Sequence, residues 1–96
     1  MEFILIAKDG TDSEAVVRRM DARPAHLEFV AELKRSGNVL FGGALLDEND
    51  KMTGSVVIYD YPDRRSLDEM LRGEPYILGK VWKDIEIKPF RVARNL

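Results

Sequence analysis

The stretch VLFGGALLDENDKMTGSVVIYDY, Val39 to Tyr61, decides the fold. Its flanks, Val39 to Leu46 and Thr53 to Tyr61, read as strands, and the polar run Asp47-Glu48-Asn49-Asp50-Lys51 between them is the connection of an antiparallel hairpin. Working outward from the hairpin, Gly37 is placed to end a helix in the left-handed conformation. In that helix His26, Phe29, Val30 and Leu33 recur at i, i+3, i+4 and i+7, so one face packs on something apolar. Pro24 lacks an N–H and biases Arg23 away from helical geometry, which predicts that it opens this helix rather than lying inside a longer one. A separate short helix then precedes it, capped at Thr11 or Asp12 through the pattern Thr11-x-x-Glu14. Phe3 to Ala7, stopped by Lys8-Asp9-Gly10, is the first strand.

Beyond the hairpin, Pro62-Asp63 stops the strand and Ser66-x-x-Glu69 predicts the cap of another short helix, with Leu67, Met70 and Leu71 on its apolar side. Gly73 breaks it. Trp82 to Phe90 alternates Ile85 and Ile87 against Asp84, Glu86 and Lys88, the pattern of a last strand with one wetter face. The order β, α, β, β, α, β most simply makes an α+β fold of ferredoxin-like type, a four-stranded antiparallel sheet with its helices on one face. Strand one is apolar in both phases, as is Val56-Val57-Ile58, whereas a solvent-facing sheet alternates. The second face is therefore expected to meet its own copy in a two-fold homodimer.

The 96 residues form one domain, 1–96, since a second core would not fit. With 45% hydrophobic and 33% charged residues the chain has enough apolar material to fold. A net charge of −2 gives no global field for phosphate backbones or anionic lipid, so nucleic acid and membrane are not expected partners. No run approaches the roughly 20 apolar residues of a membrane span. The start Met1-Glu2-Phe3 lacks the basic residues of a signal peptide, which reads as a cytoplasmic protein. Zero Cys and a single His exclude sulfur-based zinc sites and His-rich clusters, and the Gly-rich fingerprints of nucleotide binding are missing. No metal or cofactor is expected.

His26 is the one side chain whose ordinary pKa, about 6.5, suits proton transfer near neutrality, and it lies on the helix face that meets the sheet. Its plain alternative is a core histidine bonded to a backbone carbonyl. Asp9 after strand one either orients a histidine or shapes a turn. Glu74, between Gly73 and Pro75, is a solvated loop carboxylate or, if buried near His26, an acid or base. Ser55 offers a hydroxyl to a pocket or only shapes a strand end beside Gly54. Gly42-Gly43 marks a bulge or a close approach to a ligand. Arg18-Arg19 and Arg64-Arg65 read as solvated surface.

Arg23-Pro24-Ala25-His26-Leu27, Gly37, Gly43, Gly54-Ser55 and Glu74-Pro75-Tyr76, in this order and spacing, resemble the YciI-like, or YCII-related, family. The resemblance covers nearly the whole chain. It implies a ferredoxin-like fold assembled as a dimeric α+β barrel, with a pocket between helix and sheet and a histidine–aspartate pair as acid and base. Carried over, the family histidine is His26, the arginine of its Arg-Pro is Arg23, the serine after the strand glycine is Ser55, and Asp9 matches the acid after strand one. The motif usually written Asp-Pro-Tyr or Asp-Pro-Phe is here Glu74-Pro75-Tyr76, longer by one methylene. Relatives of the barrel include lactone isomerases, dehydrochlorinases and monooxygenases.

The reading that follows is a cofactor-independent acid-base enzyme for a small organic acid or ring compound, of isomerase, lyase (dehydrochlorinase) or lactone hydrolase type. His26 moves the proton, with Glu74 or Asp9 setting its tautomer. Arg23, Ser55 and Tyr76 hold the substrate. The rival from another class is a non-catalytic dimeric module that binds a small metabolite or a partner.

Overall fold

The computed structural model describes residues 1–94 of the chain. Its elements are β1 (Glu2–Asp9), α1 (Ala15–Arg35), β2 (Val39–Leu46), β3 (Met52–Asp60), α2 (Arg64–Leu71), α3 (Pro75–Leu78) and β4 (Trp82–Phe90). The strands form one antiparallel sheet in the order β2-β3-β1-β4, which is the ferredoxin-like arrangement. The hairpin turns through Asp47, whose carboxylate accepts the backbone N–H groups of Asn49 and Lys51, while Asp50 takes the left-handed conformation at φ 62°.

Period-two alternation divides the sheet. Phe3, Leu5 and Ala7 of β1 and Ser55, Val57 and Tyr59 of β3 are buried beneath the helices. Leu67 and Leu71 of α2, Tyr76 of α3 and Val81 complete that core. The other phase, Ile4, Ile6, Val56 and Ile58, is only half-buried, and Phe41, opposite Ile58, is 62% exposed.

Three local expectations are corrected. Pro24 lies inside one continuous 21-residue helix, α1, rather than at the start of a second. Met20, whose carbonyl the missing bond would have reached, is exposed together with Pro24, so water can take that carbonyl. The helix is also pinned on both sides of Pro24, at Arg19 and at His26, by contacts described below. Of the two expected caps, Thr11 and Asp12, it is Asp12 that closes the N-terminal turn, accepting the N–H of Glu14 and two bonds from Arg18, and the Thr11–Glu14 box is the part corrected. The Arg18 guanidinium holds the Asp12 carboxyl well below the usual carboxylate range. At α2 the cap is Asp63, which accepts the N–H of Ser66 at 2.8 Å, so the helix starts before the Ser66–Glu69 pattern.

Candidate functional site

Side chains of five elements, β1, α1, β3, α3 and β4, converge in one cluster. The chain between α2 and α3 turns so that Glu74 caps α3, its Oε1 accepting the Tyr76 N–H at 3.0 Å. That cap fixes the carboxylate where α1 passes over it. His26 Nδ1 meets the same Oε1 at 2.6 Å. A carboxylate oxygen that already accepts an amide N–H leaves Nδ1 as the donor, so Nε2 is the ring nitrogen without a proton when the imidazole is neutral. Glu74 is therefore not a solvated loop carboxylate: its exposure is 0%. Its second oxygen, Oε2, is buried with no hydrogen-bond partner among the described residues.

The imidazole is also fixed in plane. It stacks on the Tyr76 ring at 3.7 Å between centroids and 8° between planes, and the Trp82 indole meets it edge-on at 6.0 Å. Burial pushes the Tyr76 hydroxyl up from its ordinary pKa, so it stays neutral at physiological pH.

Arg19 joins this cluster from one side. Its Nη1 donates to both carboxylate oxygens of Asp9, at 3.0 and 2.9 Å, and its guanidinium lies 4.8 Å from the Tyr76 ring centroid. Its Nη2 donates to Ser55 Oγ at 3.2 Å, where Trp82 Nε1 also donates at 3.1 Å. Trp82 reaches that point because a register shift after Lys8 sets it opposite Asp9.

Of the residues singled out in the sequence, His26, Glu74 and Tyr76 come into direct contact. Asp9 does not meet His26; it binds Arg19, so the choice of carboxylate for the imidazole falls on Glu74. His26, Ser55, Tyr76 and Arg23 line a cavity of about 190 Å³ between α1 and the β2–β3 hairpin. Gly42 and Gly43 border it, and Gly42, opposite the inward-facing Val57, helps keep it open by having no side chain. Among the described residues no three His, Asp or Glu side chains are grouped so as to hold a metal ion.

Two participants were not foreseen. Arg19, taken for solvated surface, is 4% exposed and ties β1 to β3. A signal existed: Arg19, Arg23, His26 and Val30 fall at i, i+4, i+7 and i+11, one stripe of a single helix, but the stripe vanishes if the helix is broken at Pro24. Trp82 carried no such signal beyond the need of a buried indole N–H for an acceptor.

The sequence profile of the YCII-related domain covers residues 1–91. The chain belongs to this family. It is 30% identical to Protein YciI of Escherichia coli over 95% of this chain and 97% of that protein. It is 31% identical to derivative of benzaldehyde biosynthesis cluster protein C of Emericella nidulans, over 86% of this chain and 93% of that one. In three dimensions it resembles the 5-chloro-2-hydroxyhydroquinone dehydrochlorinase of Burkholderia phenoliruptrix, solved with 2,5-dihydroxybenzoquinone. The TM-score is 0.82 at 21% identity, over 97% of this chain and 96% of that one. A dimeric ferredoxin-like protein from an uncultured marine organism matches with a TM-score of 0.56 at 13% identity, covering 98% and 92%. These structural likenesses bear on the fold, which agrees with the family's α+β architecture. No helix among the described residues is long and apolar enough to cross a membrane.

Proposed function

We propose that this YCII-related protein is a single-domain, cofactor-independent acid-base enzyme that moves a proton on a small organic acid or ring compound. The observation that carries the proposal is the His26–Glu74 pair, 2.6 Å across, of which His26 lines a cavity the size of a small molecule and Glu74 is buried behind it. Nε2 of His26 removes a proton from carbon beside a carbonyl, the C–H electron pair becomes the carbon–carbon double bond of an enolate as the carbonyl π pair moves to oxygen, and the proton rides on the imidazole. The Ser55 hydroxyl donates to that oxygen, and Glu74 compensates the imidazolium as it forms. Return of the proton to a different carbon gives isomerisation; departure of a halide gives elimination. Arg23 holds a substrate carboxylate, Tyr76 keeps the imidazole in plane, and Asp9 acts at one remove by fixing Arg19, and through it Ser55.

A buried carboxylate whose second oxygen has no partner among the described residues costs stability, which supports placement for chemistry rather than for packing. The name of the dehydrochlorinase is in keeping with elimination as one outcome of such a pair. The working form is proposed to be a homodimer, a dimeric α+β barrel closed over the apolar sheet face of Ile4, Ile6, Val56 and Ile58. That face and the dimeric relative support it.

The test is depletion of a metabolite pool by the wild-type protein, followed by His26→Ala and Glu74→Gln on whichever compound is consumed. Loss of turnover by at least about a hundredfold in His26→Ala, with folding retained, is expected. Binding without turnover in the wild type would instead identify a metabolite-binding module, and turnover that survives His26→Ala would refute His26 as the proton carrier.

A further inference from the structure

The cavity between α1 and the hairpin offers its occupant an unequal set of groups. Its polar lining is Arg19, Arg23, His26, Lys34, Ser55 and Tyr76, with no Asp, Glu, Asn or Gln. Ser55 deserves a count of its own capacity. Its oxygen accepts from Arg19 Nη2 and Trp82 Nε1, so both lone pairs are taken and only its proton remains to be given. No protein group among the described residues accepts that proton, and a guanidinium on the oxygen makes it a better donor.

Arg23 and Lys34 likewise make no ion pair or side-chain hydrogen bond among the described residues. Both stand on the cavity stripe of α1, about 16 Å apart along the axis at 1.5 Å per residue. Lys34 lines the cavity at the end away from Arg23. Between them the wall is apolar: Leu27 and Val30 from the helix, Val57 from the sheet. A cavity of about 150 Å³ holds a benzene ring, so this one admits a single substituted ring or a chain of similar size.

We infer that the ligand of this cavity is a small dianion with an apolar middle, one anionic group held by Arg23 and the other by Lys34, while the Ser55 hydroxyl stays free for the reacting oxygen. The inference rests on the acid-base reading of the same cavity and names its substrate class. A monoanion would leave one cation unanswered, and a protonated amine would face two cations without a carboxylate to offset its charge.

Binding is read without turnover, by calorimetric titration at low salt with terephthalate and with 4-methylbenzoate, which has the same length and one charge fewer. Terephthalate should bind about fivefold more tightly, the worth of one partly exposed ion pair. Lys34→Gln should erase that preference while leaving 4-methylbenzoate within about twofold, and Arg23→Gln should weaken both. Raising the salt should shrink the preference. Equal affinity for the two acids, a preference that survives Lys34→Gln, or no binding of terephthalate would overturn the inference. Failure of the acid-base reading would show differently, as turnover indifferent to His26→Ala beside an intact charge preference.

Discussion

His26 on α1 and Glu74 at the start of α3, 48 positions apart in the chain, share a hydrogen bond of 2.6 Å whose accepting oxygen is also the cap of α3. One carboxylate oxygen thus sets both a helix start and an imidazole. Neutral His26 should therefore carry its proton on Nδ1, against the preference of free imidazole for Nε2. Nitrogen-15 shifts of the ring report the tautomer directly. Glu74→Gln, which keeps an accepting oxygen, should retain it, and Glu74→Leu should lose it. An Nε2–H tautomer in the wild-type protein would contradict the geometry.

The Arg19–Asp9 pair is buried, with side-chain exposures of 5% and 7%. Removing one partner strands the other charge, so Arg19→Met or Asp9→Leu should each cost about 3–5 kcal/mol in denaturant unfolding. The double variant should cost much less than the sum, because the stranded charge is gone. Additive losses would mean the pair is solvated in solution.

Tyr59 has a buried hydroxyl without a hydrogen-bond partner among the described residues, and burial, reinforced by the negative charge of Glu74, pushes its pKa up. A raised folded-state pKa gives a contribution to stability that is whole below the ordinary tyrosine value, about 10, and is lost as pH climbs above it. Tyr59→Phe should remove that alkaline loss and, by deleting an unsatisfied group, change stability near neutrality by no more than about 1 kcal/mol. Melts from pH 7 to 11 on both proteins check the sign. A steep alkaline loss undiminished in Tyr59→Phe would refute it.

Two glycines should respond oppositely to alanine. A Cβ on Gly54 would lie 2.4 Å from the Ala7 carbonyl oxygen, which the sheet cannot move, so Gly54→Ala should destabilise by about 1–3 kcal/mol. On Gly42 it would meet the nearest atom, a Val57 methyl, at an ordinary 3.7 Å, so Gly42→Ala should fold normally. Gly42→Leu projects into the cavity and should weaken ligand binding without an equal loss of stability. Chemical denaturation of all three variants separates the cases.

The sheet face of Ile4, Ile6, Val56 and Ile58 is expected to pair with its copy over more than about 1,000 Å² in total. Ile6→Glu should move the sedimenting mass from dimer to monomer. A wild-type monomer at tens of micromolar would dispose of the barrel.

Local patterns by themselves determined the strands, the hairpin at Asp47 to Lys51, the α+β order and the two apolar faces of the sheet. Each of those depends on periods of two or 3.6 residues and on turn chemistry within a few positions. The same patterns singled out His26, Ser55 and Glu74 but could not say which acid meets the histidine. Only tertiary docking decided that: α3 lies against α1 and delivers Glu74, while the register shift at the end of β1 gives Asp9 to Arg19 and sets Trp82 beside Ser55. The continuity of α1 through Pro24 was likewise a tertiary matter. A proline penalty of about 3 kcal/mol is a local quantity, and it is offset by the Arg19–Asp9 ion pair and by the hydrogen bond and stacking of His26, all made with elements far away in the chain.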